Sequence, residues 1–316
     1  MISVCYNRRL VRWQAKCVLD SLKAVLPFQE QLRRAKRALF GFQPTPQQDR
    51  WTIEQGIDQV QSVQAALDLS SSTVLEVGSG WQPLIPLLYS LAGAKQIMMT
   101  DLRRLLHVSS LGEALENLRA NADIIRDRLR VDGETFEQFL RLNPGEGLDE
   151  SLQRRRMRYL APCDVRNTAL PSESVDAVVS RAVLEHIPGD IIRGIFTESA
   201  RIVRPGGITC HIIDNSDHWQ HTDKSISRIN FLKYSDAMFR LTCINGLNYQ
   251  NRLRHSEYRQ MLLSAGFEIE KEERSVDREA TQLLEHFPVA PRFQHFAKDD
   301  LAAVTSFFLA RRRART

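Results

Sequence analysis

Apolar runs recur along the middle of the chain at Thr73–Val77, Gln96–Thr100, Arg158–Pro162, Val175–Ser180 and Ile208–Ile213. Runs of five or six residues are strand-length, and the stretches between them have the length and spacing of amphipathic helices. Helices are predicted from Pro83 to Ala92, Leu111 to Arg130 and Asp190 to Val203. Pro83 and Pro86 are compatible with the first of these only if they lie in its first turn. Asn143-Pro144-Gly145-Glu146-Gly147 separates two helix-like pieces, so 132–155 reads as an insertion ahead of the third strand. Arg204-Pro205-Gly206-Gly207 reads as a helix stop before the fifth strand. From Asp214 to about His255 the alternation lapses into a segment rich in His, Asp, Asn and aromatics, read as a helical insertion over a pocket. Glu257–Ala265 is then a helix stopped by Gly266, Phe267–Lys271 and Val304–Ala310 are strands, and Arg311–Arg315 is a frayed tail. Strands alternating with helices predict an α/β fold, a doubly wound, mostly parallel sheet with helices on both faces.

Ahead of this lies helical material. Leu10, Trp13, Cys17, Leu19, Leu22 and Leu26 fall about a turn apart, Pro27 interrupts, a basic helix spans about Gln29–Phe40, and Pro44 and Pro46 form a short linker. Asp49–Leu67 is a further helix leading into the first strand. The expected organisation is an N-terminal helical extension or lid at 1–70 and a main domain at 71–316, with insertions at about 132–155 and 214–256. Charge sharpens the first part: residues 1–50 hold ten Lys/Arg against three Asp/Glu, a local +7 in a chain whose net charge is +5. Such an end suits an anionic partner or a membrane surface met peripherally through residues 1–40, or simply a solvated helical cap. No apolar stretch reaches bilayer length, and the basic start is not followed by a signal-peptide core. Five scattered cysteines without a Cys-x-x-Cys pair favour reduced thiols in a cytoplasmic setting and no structural zinc.

The densest chemistry lies at Val74-Leu75-Glu76-Val77-Gly78-Ser79-Gly80-Trp81-Gln82-Pro83, with Asp101 closing the next strand. Strand, glycine turn, helix, strand, acid is the layout of a nucleoside-binding βαβ unit, in which the acid accepts from ribose hydroxyls. A dinucleotide fingerprint needs a third glycine where Pro83 stands, and Glu76 would repel a diphosphate. Glu76 suits instead a nucleoside carrying an ammonium group and no phosphate, such as S-adenosylmethionine.

Taken in order, Leu75–Gly80, Thr100-Asp101-Leu102, Cys163-Asp164-Val165, Ser174–Val179 with Leu184-Glu185-His186-Ile187, and Arg204–Gly207 resemble the class I S-adenosylmethionine-dependent methyltransferases. The resemblance runs from residue 73 to about 213, and Leu262–Phe267 with Val304–Ala310 fit the family's last helix and final hairpin. It implies a Rossmann-like seven-stranded sheet and S-adenosylmethionine as cofactor. Gly78, Ser79 and Gly80 are then expected at the methionyl group, Glu76 at its ammonium, Asp101 and Leu102 at the ribose, and Asp164 and Val165 at the adenine. Ser180 and Arg181 end the fourth strand at the ligand-binding rim, where Arg181 is expected on the cofactor's carboxylate or a substrate anion, or simply at the surface. The family usually carries a third glycine where this chain has Gln82, which puts the loop's shape beside the methionine part in question.

Methyl transfer is an in-line displacement from a good leaving group, so positioning carries much of it, and an oxygen acceptor also calls for a base. Asp214, Asp217, His218 and His221 follow the fifth strand; His218 is the first choice of base and His221 the second, against the bland alternative of loop capping. His186 reads as a packing residue. The spacing of Asp214, His218 and His221 matches no defined ligand motif, so no metal is expected. Trp219, Phe231, Tyr234, Phe239 and Tyr249 are candidate walls of an acceptor pocket. The segment resembles, loosely, methyltransferases of glycan and small-molecule pathways, which points to O-methylation of a small hydroxylated acceptor such as a sugar, lipid-linked intermediate or natural product. The alternatives are an RNA or protein methyltransferase using the basic arm, or a cofactor-binding scaffold without turnover. The absence of a recognisable RNA-binding module and of an Asn-Pro-Pro-Tyr-type motif argues against nucleic acid.

Overall fold

The computed structural model describes residues 12–18, 46–242 and 249–313. Most of the basic arm, including the helix predicted over Gln29–Phe40, lies outside the described residues, as do 243–248 and 314–316.

Seven strands form one sheet: β1 Thr73–Val77, β2 Gln96–Thr100, β3 Met157–Leu160, β4 Val175–Arg181, β5 Val203–Asp214, β6 Phe267–Val276 and β7 Ala303–Arg312. Their spatial order is β3-β2-β1-β4-β5-β7-β6. β1 lies parallel to β2 and β4, β4 is parallel to β5, and only β7 runs antiparallel to its neighbours. Every residue of β1 is buried, as expected of a central parallel strand covered on both faces. The chain reverses its direction of winding between β1 and β4, and in an open sheet this switch point is where ligands bind, beyond the carboxyl ends of the strands.

Helix Pro46–Ala66 presents Ile53, Ile57, Val60 and Val63, all fully buried, and joins Val74, Leu88 and Ile97 in one apolar cluster. The end of the expected 1–70 extension is thus built into the core of the sheet. Pro46, read as linker, is the first residue of this helix, a position where its missing N–H costs nothing. Pro83 is the N-cap and Pro86 the third residue of helix Leu84–Leu91, which keeps both in the permissive first turn.

Several boundaries differ from the sequence expectation. The helix expected over Leu111–Arg130 is two, Val108–Ala120 and Ala122–Leu129, broken at Asn121, whose side chain donates to the Asn117 carbonyl at 2.8 Å. The insertion at 132–155 contains helices Gly133–Leu140 and Leu148–Arg154. Arg204–Gly207 is not a turn ahead of β5 but a bulge within it: Val175 pairs with Val203 and Ala177 with Ile208. Asp176 pins the bulge by accepting from Arg204 at 2.8 Å and from the Thr73 amide at 2.7 Å. β6 runs five residues past Lys271, and Arg311 and Arg312, read as tail, belong to β7, where each meets a glutamate, Glu270 and Glu173.

The segment after β5 contains short 3₁₀ turns at His218–His221 and Asn230–Lys233 and helix Asp236–Thr242. With residues 278–302 it forms a second small core around Ile229, Phe231, Leu232, Phe239 and Phe293. Phe231 and Phe239, expected on a pocket wall, are instead interior, edge to face at 6.0 Å, and Arg252 stacks on Phe239 at 4.3 Å. A helical stretch at 13–18 docks on this segment, Trp13 donating its amide to Asp223 at 3.1 Å and Lys16 reaching Thr222 at 2.8 Å.

Candidate active site

Gly78 and Gly80 have φ of +76° and +64°, the left-handed region that glycine enters without steric cost. A side chain at Gly78 would also strike Val183, 2.6 Å away, whereas one at Gly80 would project into open space. The turn is closed by its own amides: Gly78 and Ser79 both donate to the Thr100 carbonyl at 2.9 Å, and Gly80 donates to Asp101 at 3.0 Å. Few donors are left for a phosphate. What remains is a carboxyl oxygen and one hydroxyl, since the Glu76 Oε2 and Ser79 Oγ atoms are buried without a hydrogen-bond partner. Burial pushes the Glu76 carboxyl up to about 8. A buried acid of this kind is relieved by a cation. The residues therefore fit the ammonium-bearing nucleoside and not a dinucleotide.

Asp101 accepts a second bond from the Arg103 amide at 3.1 Å, and Leu102 beside it is 67% exposed, an apolar side chain at the rim with nothing over it. Asp164 faces Arg166, which reaches both of its oxygens at 3.0 Å or less, and Arg166 holds its carboxyl below the usual range. Val165 packs beneath, against two apolar clusters that both take in residues of helix Gly189–Ile202. Ser180 is turned inward: its hydroxyl lies 2.7 Å from His211 Nδ1, fully buried, so its side chain is spent on the core and not on the rim. Burial takes His211 down to about 3, so that histidine is neutral. Arg181 stands at the rim, its Nε bonded to Gln55 at 3.0 Å and its guanidinium 4.9 Å above the Trp51 ring. Gln82, at the position of the missing glycine, reaches toward Glu113 at 3.4 Å.

Beyond β5, Asp214 faces both candidate bases. Its Oδ2 is 3.5 Å from His218 Nε2 and 3.9 Å from His221 Nε2, and the two imidazoles stack at 5.1 Å. Oδ1 accepts from the Ser216 amide and hydroxyl at 2.9 and 2.6 Å, which fixes the carboxylate plane. Burial draws the His218 pKa down, but the facing Asp214 outweighs it and leaves the ring above its ordinary value. Asp217 has the bland role: it caps the turn, accepting from Trp219 at 2.9 Å and Asn230 at 3.3 Å.

His186 departs from the sequence expectation. It was read as packing, yet it is exposed, with its ring 5.0 Å from that of His218. Glu185 beside it, unremarked from sequence, is 2% exposed with neither oxygen hydrogen-bonded. The signal was the acid–imidazole pair in Leu184-Glu185-His186-Ile187 directly after a strand end. Gln250, also missed, accepts from the His218 amide at 3.1 Å. A concavity of about 920 Å³ lies elsewhere, between helix Pro46–Ala66 and strands β6 and β7. Apart from Gln55 it takes in none of these groups, so the rim of the sheet, where the chemistry converges, is the better candidate.

Residues 131–211 match the family model described as a methyltransferase domain. That stretch covers β3, β4 and most of β5 and begins after the glycine turn. No curated protein matches significantly. Among solved structures, magnesium protoporphyrin IX methyltransferase from Synechocystis PCC 6803 with bound SAH is 15% identical over 93% of this chain and 99% of its own, with a TM-score of 0.47. A putative S-adenosylmethionine-dependent methyltransferase from Listeria monocytogenes is 15% identical over 82% and 99%, with a TM-score of 0.43. At these values the likenesses add nothing to the sheet order described above. Sheet order, rim chemistry and the matched domain define a Rossmann-like methyltransferase fold. The matched stretch gives the chain a methyltransferase domain, and the rim residues of its sheet fit S-adenosylmethionine as cofactor. Among the described residues, no helix is long and apolar enough to cross a membrane.

Proposed function

We propose that this enzyme methylates a hydroxyl oxygen of a small acceptor, a sugar, lipid-linked intermediate or natural product. When bound, the cofactor supplies a methyl group on a sulfonium. Glu76 accepts the cofactor's ammonium, Asp101 its ribose hydroxyls, and Leu102 covers one face of the nucleoside. The N-terminus of helix Leu84–Leu91 faces the carboxylate. Arg166 leaves Asp164 little free acceptor capacity, so the adenine amino group bonds there only if the arginine swings aside.

On the acceptor side, His218 takes the hydroxyl proton and Asp214 orients the imidazole. The observation that carries this reading is the His218 Nε2 atom, buried without a hydrogen-bond partner and 3.5 Å from Asp214 at the carboxyl end of β5. An apolar or sugar-like acceptor is supported by Trp13, whose ring lies 6.0 Å from Trp219 and 5.9 Å from Tyr234 where residues 13–18 meet the segment after β5.

The test is turnover of S-adenosylmethionine against a panel of hydroxylated acceptors, with the methylated atom located by mass spectrometry and NMR. Transfer to oxygen, slowed about a hundredfold or more in His218→Ala with cofactor affinity intact, is the expected result. Methyl found on nitrogen or carbon, or full activity in the variant, overturns it. Cofactor binding without turnover of any acceptor favours the scaffold alternative.

A further inference from the structure

Glu185, His186 and His218 each offer a ligand atom, and these atoms lie within 4.8 Å of one another. Around an ion with bonds of about 2.0–2.2 Å in tetrahedral geometry, ligand atoms stand roughly 3.3–3.6 Å apart, so the set closes with side-chain shifts of up to about 1 Å. Two features set this cluster apart from a chance meeting of polar groups. Glu185 is 2% exposed and neither of its oxygens has a hydrogen bond, an expensive state for a carboxylate with no counter-ion. The neighbouring Arg181 guanidinium acts on Glu185 only through space, since its bonded contacts go to Gln55 and Trp51 and it makes no hydrogen bond to either Glu185 oxygen. The histidines are also prepared. His186 Nδ1 lies 3.0 Å from the Tyr249 carbonyl, to which it donates, and this leaves Nε2 as the lone-pair nitrogen. His218 Nε2 has no hydrogen-bond partner, and its backbone is held by Gln250.

We infer that Glu185, His186 and His218 form a binding site for one divalent first-row transition-metal ion. Two imidazoles and one carboxylate suit such a borderline ion better than Mg²⁺ or Ca²⁺, which prefer oxygen ligands. The exposed side of His186 leaves a coordination position open toward solvent. The turn that carries Glu185 and His186 is rigid, because Asn251 donates to the Leu184 and Ile187 carbonyls at 2.8 Å each. It also touches the cofactor turn, since Val183 is the residue against Gly78.

What the ion is for rests on the methyl-transfer reading; that it binds does not. Without the ion His218 takes the proton as proposed above; with the ion bound His218 is a ligand, an acceptor hydroxyl on the open position is acidified, and its proton passes to His221, the other imidazole facing Asp214. The oxygen's electron pair forms the O–CH₃ bond while the S–CH₃ bond breaks and its electrons return to sulfur.

The experiment uses the full chain stripped of metal with a chelator and dialysed, then titrated with CoCl₂ and followed by visible absorption and calorimetry. One equivalent is expected to bind with a dissociation constant of about 10 μM or tighter, with a d–d band of imidazole-ligated cobalt. His186→Ala, an exposed position, and Glu185→Gln are each expected to weaken it about tenfold or more. No saturable binding, unchanged affinity in both variants, or equal preference for MgCl₂ overturns the site. S-adenosylhomocysteine is titrated into the same samples. Its binding reports that each variant is folded. Nucleoside binding without cobalt binding removes the ion alone, while cobalt binding without nucleoside binding removes the methyl-transfer reading and leaves the ion.

Discussion

The Oδ2 atom of Asp101 accepts the backbone N–H of Gly80 at 3.0 Å. The acid at the end of β2 thus ties the glycine turn of β1 to the neighbouring strand, and in the proposed function it also meets the ribose. Removing it costs both. Asp101→Ala is expected to weaken S-adenosylhomocysteine binding about a hundredfold or more and to lower stability by about 1 kcal/mol, the worth of one hydrogen bond. Calorimetry and urea unfolding read the two effects separately, and unchanged affinity would remove Asp101 from the ribose.

The two glycines of the turn are expected to fail differently. At Gly78 an alanine meets both a φ of +76° and the Val183 methyls at 2.6 Å, so Gly78→Ala should lose about 2–4 kcal/mol of stability. At Gly80 the space is open and only the backbone strain remains, about 1–2 kcal/mol. Gly80→Ala should therefore fold and melt a few degrees lower, but its methyl points into the open space that the proposed function gives to the nucleoside. Cofactor affinity is expected to fall at least tenfold in this folded variant. Native affinity in Gly80→Ala would mean that the ligand does not come near the turn.

The placement of Glu76, the glycines and Asp101 was legible in the sequence because it is local: they sit at strand ends that their own apolar runs define. The rest depends on distant segments. His186 looked like packing because its partners, His218 and the Tyr249 carbonyl, come from beyond β5. Phe231 and Phe239 looked like pocket walls because their covering residues, Phe293 among them, lie near the end of the chain. Ser180 was placed at the rim by its position, but strand alternation turns it inward onto His211. Arg204–Gly207 has the composition of a stop signal, and only the pairing of β4 with β5 shows that the strand continues through it.

Asn251 tests how far the turn after β4 depends on the segment that crosses it. Its amide donates to Leu184 and Ile187, while its Oδ1 accepts from the Leu253 amide and the Tyr258 hydroxyl, both at 3.0 Å. All four bonds are in or near the interior, so Asn251→Ala leaves several buried groups unpaired, and about 2–4 kcal/mol of stability should go with them. Urea unfolding checks this. The same variant should bind cobalt at least tenfold more weakly while holding S-adenosylhomocysteine within about threefold, because the glycine turn and Asp101 do not lean on Asn251. Equal loss of both ligands would mean that the two halves of the site fold as one unit.

Glu76 gives the enzyme a pH dependence whose sign follows from its burial. The carboxyl stands at about 8 in the folded chain against an ordinary 4.5. Between these values the folded protein keeps a proton that the unfolded chain has released, so this group's contribution to stability is full below pH 4.5 and is lost as pH rises toward 8. An ammonium placed beside the carboxylate favours the ionised form, so ligand binding in that window expels the proton. Affinity for S-adenosylhomocysteine is therefore expected to rise with pH between about 5.5 and 7, by up to tenfold per unit. Calorimetry in two buffers of different ionisation enthalpy should find close to one proton released. Glu76→Gln should bind more weakly, release no proton through this group and lose most of the slope. A wild-type affinity that is flat over this range would show that the cofactor's ammonium does not meet Glu76.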